Sequence, residues 1–134
     1  MKIFSSKEIL RPPPILAVEE LPDVRIVRFQ GPIDITTVDK IRVFQNKIRS
    51  AKEFQHKHLL LDFKNVTHID TAAIAGIIKT TSELKKDHHR LGVINLEEKF
   101  HNILEVLKVD EMVFIYPNEN EAIKSLLAEN PAKA

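Results

Sequence analysis

The sequence predicts an α/β fold: a mixed sheet of about five strands, opened by an N-terminal β-hairpin and continued by βα units with about four main helices. Three observations carry this. Leu59, Leu60 and Leu61 are consecutive in a strand-like run, and a strand loses its polar alternation when both faces are covered, as in a parallel sheet under helices. Beyond that run, short apolar segments alternate with stretches whose apolar residues recur at three- and four-residue spacing. Before it, two strand-like runs flank Pro22-Asp23, a turn signal that lets them pair as a hairpin.

Taken in order, residues 1–14 read as an extension, because Pro12-Pro13-Pro14 fixes an extended segment that cannot donate backbone hydrogen bonds. The domain spans 15–128 and a tail covers 129–134. Ile15 to Leu21 is the first strand, and Val24, Ile26, Val27 and Phe29 mark the second, which Gly31-Pro32 ends. Thr36-Thr37-Val38-Asp39 places a hydroxyl three residues before a carboxylate, an Asp variant of the capping box, so the first helix starts there. Its stripe is Val38, Ile41, Phe44 (or Val43) and Ile48. His58 to Phe63 is the buried strand; a short polar step follows, and the second helix runs from Thr71 to about Lys86. There Ile74, Ile77, Ile78, Thr81 and Leu84 form the core side. Leu91 to Leu96 is a strand, Phe100, Ile103, Leu104 and Leu107 mark the third helix, and Val113 to Tyr116 is the last strand. Pro117 stops it. Asn118-x-x-Glu121 resembles a capping box and opens a final helix with Ile123, Leu126 and Leu127 on its apolar face. Strands alternating with single helices imply right-handed crossovers, with the helices mainly on one face of the sheet.

Composition excludes several classes. A chain of 134 residues with 43% apolar content is one domain able to bury a core. Its formal net charge of +1 provides no footprint for nucleic acid. With no cysteine there is no disulfide or thiolate chemistry, which fits a reducing compartment. Ser5, Ser6, Lys7 and Glu8 interrupt the apolar residues near the start, and no later run approaches a membrane span, so a soluble, cytoplasmic protein without membrane insertion is expected.

Catalytic and metal chemistry are also poorly served. Of the six histidines, His56 and His58 alternate along a strand edge, His88-His89 are adjacent in a turn, and His68 and His101 stand alone; none makes an i,i+4 zinc pair, and all read as solvated. No serine sits on a glycine-flanked strand-to-helix elbow. Gly31, Gly76 and Gly92 are the only glycines, too few for a phosphate or dinucleotide loop, so no cofactor is expected. What stands out is Asp70-Thr71, a carboxylate and a hydroxyl where a strand turns directly into a helix and unpaired N–H groups collect. Either residue caps the helix, worth roughly 0.5–2 kcal/mol. The alternative reading, compatible with the first, is that Thr71 accepts a phosphoryl group, whose charge a helix N-terminus tolerates.

The element order, G-P-I-D from Gly31 to Asp34, and D-F-K-N-V-T-H-I-D-T-A-A-I-A from Asp62 to Ala75 resemble the STAS domain, shared by anti-sigma factor antagonists and sulfate transporters. The resemblance covers roughly Ile15 to Leu127. In anti-sigma factor antagonists the residue directly after the aspartate that here is Asp70 is phosphorylated by a partner kinase that is also the anti-sigma factor, and Thr71 holds that position. The resemblance places Asp34 on the partner-facing surface. It departs at Ala72, Ala73 and Ala75, where the family usually has a second hydroxyl and two glycines, and at Lys108, roughly where a glycine is usual.

What the resemblance implies is a non-enzymatic, protein-binding switch. Unmodified Thr71 would bind an anti-sigma factor of the ATP-binding serine/threonine kinase type and be released by phosphorylation. Asp34 and Asp70 would shape the receiving surface, and Ala73, Gly76, Lys79 and Thr80 would form the contact patch on the exposed side of the second helix. Gly76 has a second reading, tight packing on the sheet, since glycine inside a helix costs on the order of 1 kcal/mol. The alternative function is a non-phosphorylated scaffold subunit of a stressosome-like or lipid-transport assembly. A small-ligand domain is a third, and a homodimer is compatible with each.

Overall fold

A computed structural model of the chain describes residues 15–49, 57–108 and 112–128, with only the backbone of 44–49. The extension over 1–14, the tail over 129–134, His56 and the side chains of Phe44 and Ile48 lie outside the described residues. The elements are β1 (Ile15–Glu20), β2 (Val24–Ile33), α1 (Ile35–Arg49), β3 (His58–Ile69), α2 (Thr71–Lys86), β4 (Leu91–Ile94), α3 (Glu98–Val106), β5 (Phe114–Tyr116) and α4 (Glu119–Leu127). They form one five-stranded sheet in the order β1-β2-β3-β4-β5. β1 and β2 are antiparallel, closed by Leu21 N donating to Val24 O at 2.9 Å, and the remaining pairs are parallel.

The three leucines are buried because alternate residues feed opposite faces. Leu59 and Leu61 join Val27, Phe29, Phe63, Leu91 and Val93 in the larger core under α1, α2 and α3. Leu60 points the other way, to Val24, Ile26, Ile94 and Tyr116, where α4 adds Ala122 and Leu126. Three helices thus cover one face and the fourth covers the other.

Several local expectations change. β2 does not end at Gly31-Pro32: Gly31 adopts φ 69°, the pairing register with β3 shifts there, and the strand continues to Ile33. The polar step after Phe63 is strand as well, because the prolonged β2 hydrogen-bonds it; Val66 is buried while Lys64, Asn65, Thr67 and His68 face outward. The Thr36 capping box does not form. Asp34, directly after the strand, accepts from Thr37 N at 3.0 Å and α1 starts at Ile35, leaving Thr36 exposed. Asn118 caps α4 as expected, accepting from Glu121 N at 2.9 Å.

Three aliphatic residues assigned to helix cores are exposed instead. Ile103 and Leu107 flank the buried Phe100 and Leu104 of α3, and Leu127 lies beyond Leu126, because each short helix reaches the sheet along a narrow stripe. Val43, the alternative to Phe44 in α1, is exposed too. His58 is not a solvated histidine: its Nδ1 accepts from Arg90 N at 3.0 Å and its ring lies 4.9 Å from that of His89. Among the described residues no group of three or more His, Cys, Asp or Glu could hold a metal ion. No helix there is long and apolar enough to cross a membrane.

Candidate functional site

The site forms where two parallel strands end side by side. Ile33 and Ile69 are register partners at the ends of β2 and β3, and the next residue of each chain segment is an aspartate. Asp70 N donates to Ile33 O at 3.3 Å, tying the two exits together. Each aspartate then caps its own helix. Asp34 Oδ1 accepts from Thr37 N at 3.0 Å and from Thr37 Oγ1 at 3.3 Å. Asp70, with extended backbone, accepts from Ala73 N at 2.7 Å, and its carbonyl accepts from Ile74 N at 3.2 Å. Two helix N-termini and two carboxylates therefore share one end of the sheet, each carboxylate matched to orphan N–H groups.

The helices stay adjacent because α2 carries Gly76 where it crosses α1. A Cβ on Gly76 would lie 2.7 Å from Val38 Cγ1 and 3.2 Å from Ile35 Cδ1, so only a bare backbone fits. Gly76 thus packs on a neighbouring helix of its own chain, and neither the exposed placement nor packing on the sheet holds. Ala73 and Thr80 are buried with it, at 0% and 4% exposure, and Thr80 Oγ1 donates to Gly76 O at 2.8 Å. Three of the four residues assigned to the contact patch therefore cannot touch a partner. The sequence could not separate them, since small residues line a helix both where it meets solvent and where helices approach closely. The outer stripe of α2 is instead Thr71, Ala72, Ala75, Lys79 and Ser82, all exposed.

Thr71 is the first residue of α2, and among the described residues its hydroxyl makes no hydrogen bond. It borders an open groove of about 300 Å³ whose other walls come from α3: Asn102, Ile103, Val106 and Leu107. Val106 is 80% exposed, so an apolar patch adjoins the hydroxyl. Sequence reasoning missed this wall. Its available signal was the excess of apolar residues on a helix of only 9 residues, more than one narrow stripe can bury.

α3 ends by an uncommon route. Lys108 adopts φ 59°, the left-handed conformation for which glycine is usual, and its N–H donates to Glu105 O at 3.0 Å. The same end of the sheet is braced on its opposite face by Arg28, which pairs with Asp62 at 2.8 Å, Glu19 at 2.6 Å and Glu119 at 2.9 Å. Burial pushes the Asp62 carboxyl up, but hydrogen bonds from Asn95, Lys64 N and Arg28 outweigh it and hold the group below the ordinary carboxylate range. That network ties β1, β3 and α4 to β2.

The fold is shared with known proteins. The family model of the STAS domain matches residues 16–122. The chain is similar to a protein named anti-sigma F factor antagonist from Paenibacillus polymyxa, 24% identical over 103 residues that cover 77% of this chain and 86% of that protein. Its fold is similar to that of a putative anti-sigma factor antagonist from Thermotoga maritima, with a TM-score of 0.70 at 16% identity, covering 84% of this chain and 94% of the other. It is similar also to the Bacillus cell fate determinant SpoIIAA in its phosphorylated form, with a TM-score of 0.61 at 16% identity over 81% of this chain and 96% of that one. With the model spanning most of its length and the five-stranded sheet, hairpin and capped second helix in place, the chain belongs to the STAS domain family.

Proposed function

We propose that this protein is a phosphorylation-controlled binding switch of the anti-sigma factor antagonist type, with Thr71 as the phosphoacceptor. The observation that carries the reading is the exposed, unbonded Thr71 hydroxyl at the start of a helix of 16 residues, beside an apolar groove and two capping aspartates. Unmodified, this surface binds an ATP-dependent serine/threonine kinase that is also the anti-sigma factor. The Thr71 oxygen attacks the γ-phosphorus of ATP, the bond to the β–γ bridging oxygen breaks, ADP leaves, and the hydroxyl proton passes to a base of the kinase. Magnesium and base come from the partner.

The product adds about −1.5 to −2 charges near pH 7. Helix α2 tolerates that charge at its N-terminus, so the domain stays folded, whereas the interface gains like-charge repulsion beside Asp70 and a desolvation cost against the apolar wall. The partner is released. Asp34 and Asp70 hold the surface in shape, and Lys79 extends the contact along the outer stripe of α2.

The test is capture of partners from the native cell with mass spectrometry of Thr71, together with two variants. Thr71→Glu should lose the partner and Thr71→Ala should retain it without being modified. If both variants bind like the unaltered chain and Thr71 carries no phosphate in cells, a scaffold subunit of a larger assembly is the better reading.

A further inference from the structure

The groove beside Thr71 holds a second polar side chain. Asn102 of α3 shares the lining with Thr71, and the remaining walls, Ile103, Val106 and Leu107, are aliphatic. The Asn102 side chain is exposed, and among the described residues its carboxamide makes no hydrogen bond. Resting on the reading of Thr71 as a phosphoacceptor, we propose that Asn102 is a positioning residue that donates hydrogen bonds to the phosphoryl group on Thr71 and turns it into the groove.

The local supply of donors favours this direction. In the first turn of α2, Ala73 N already donates to Asp70 Oδ1 and Ile74 N to Asp70 O, so two amides are committed to the cap and only those of Thr71 and Ala72 remain beside the hydroxyl. Asp70 itself repels an anion placed toward the strand end. A phosphoryl group brings three strong acceptor oxygens, and a carboxamide offers two N–H donors with no charge of its own. The aliphatic walls cannot solvate the oxygens, which leaves Asn102 as the polar partner that the groove itself provides. The phosphoryl group then lies over Ile103 and Val106. Release of a partner follows from covering the apolar wall as well as from charge.

The chain carrying phosphothreonine incorporated at position 71 during translation tests this without any kinase. Its second ionisation, about pH 6 in a free phosphoresidue, is followed by ³¹P NMR. Donors to the dianion lower that midpoint, so Asn102→Ala should raise it by about 0.5 unit and Asn102→Asp by about 1 unit, with Asn102→Gln restoring part of the difference. The charged residues of the adjoining segments, Asp70 before α2 and Glu98, Lys99, His101, Glu105 and Lys108 on or just after α3, are the same in every variant, so the differences report position 102 alone. Coincident midpoints in chains of unchanged thermal stability overturn the proposal. An absence of phosphate on Thr71 in cells would instead sink the switch reading and leave the titration result standing.

Discussion

Gly76→Ala is the sharpest probe of how the site is held together. On an exposed helix face the change should stabilise by about 1 kcal/mol, because alanine loses less backbone entropy than glycine. Here the new Cβ would meet Val38 Cγ1 at 2.7 Å, Val38 Cβ at 3.2 Å and Ile35 Cδ1 at 3.2 Å. Val38 is branched at Cβ and sits in a helix, where one side-chain rotamer dominates, so it cannot swing aside. The helices must separate or the side chain must strain, at a cost of about 1–3 kcal/mol. Overpacking thus outweighs propensity, with a net loss of up to about 2 kcal/mol. Val38 is 3% exposed, and Val38→Ala removes its branching methyls at a cost of roughly 1–3 kcal/mol. In the double variant the added methyl enters the space vacated, so the combined loss should fall short of the sum by about 1 kcal/mol or more. Urea unfolding of the four chains measures this coupling. A Gly76→Ala chain that gains the full propensity benefit, with a coupling below about 0.3 kcal/mol, would refute the close approach of α1 and α2.

Other consequences are simpler to measure. Lys108→Gly should stabilise the chain by about 1 kcal/mol in thermal or urea unfolding, because the residue already holds φ 59°; no gain would mean that the lysine side chain offsets the backbone cost. Asp70→Ala should lower stability by roughly 0.5–2 kcal/mol through loss of the 2.7 Å cap, whereas Thr71→Glu should change the melting temperature little, since a first-turn carboxylate suits the helix dipole; a destabilised Thr71→Glu chain would remove the premise that the site accepts negative charge. Burial, followed by the His89 and Arg90 charges, lowers His58 to about 4 against the weaker pull of Asp23. The folded state therefore binds fewer protons than the unfolded chain below about pH 6.5. Stability is full above that pH and falls as the pH drops toward 4, by an amount that solvent screening of this half-buried ring reduces to the order of 1–2 kcal/mol. His58→Gln should flatten that slope in unfolding measured from pH 7 to 4.5, and identical slopes would show that His58 titrates normally.

Periodicity and strand composition determined the architecture. Leu59, Leu60 and Leu61 read as a strand covered on both faces and Asp70 before Thr71 as the start of a helix, and both hold in the fold, because burial pattern and capping are properties of near neighbours in sequence. The cap of α4 at Asn118 was legible for the same reason. Boundaries that depend on a neighbour were not: the polar half of β3 is strand because a prolonged β2 offers it hydrogen bonds, and Asp34 takes the cap of α1 because β2 ends just before it. The surface of the site was decided by tertiary structure alone. Ala73, Gly76 and Thr80 are small residues that a sequence can place in solvent or in a tight helix crossing, and only the packing of α2 in the folded chain, with Gly76 against Val38 and Ile35 of α1, buries them. Ile103 and Leu107 carry a core pattern yet line the groove beside Thr71, because a short helix laid across the sheet can bury one stripe and must leave the next exposed.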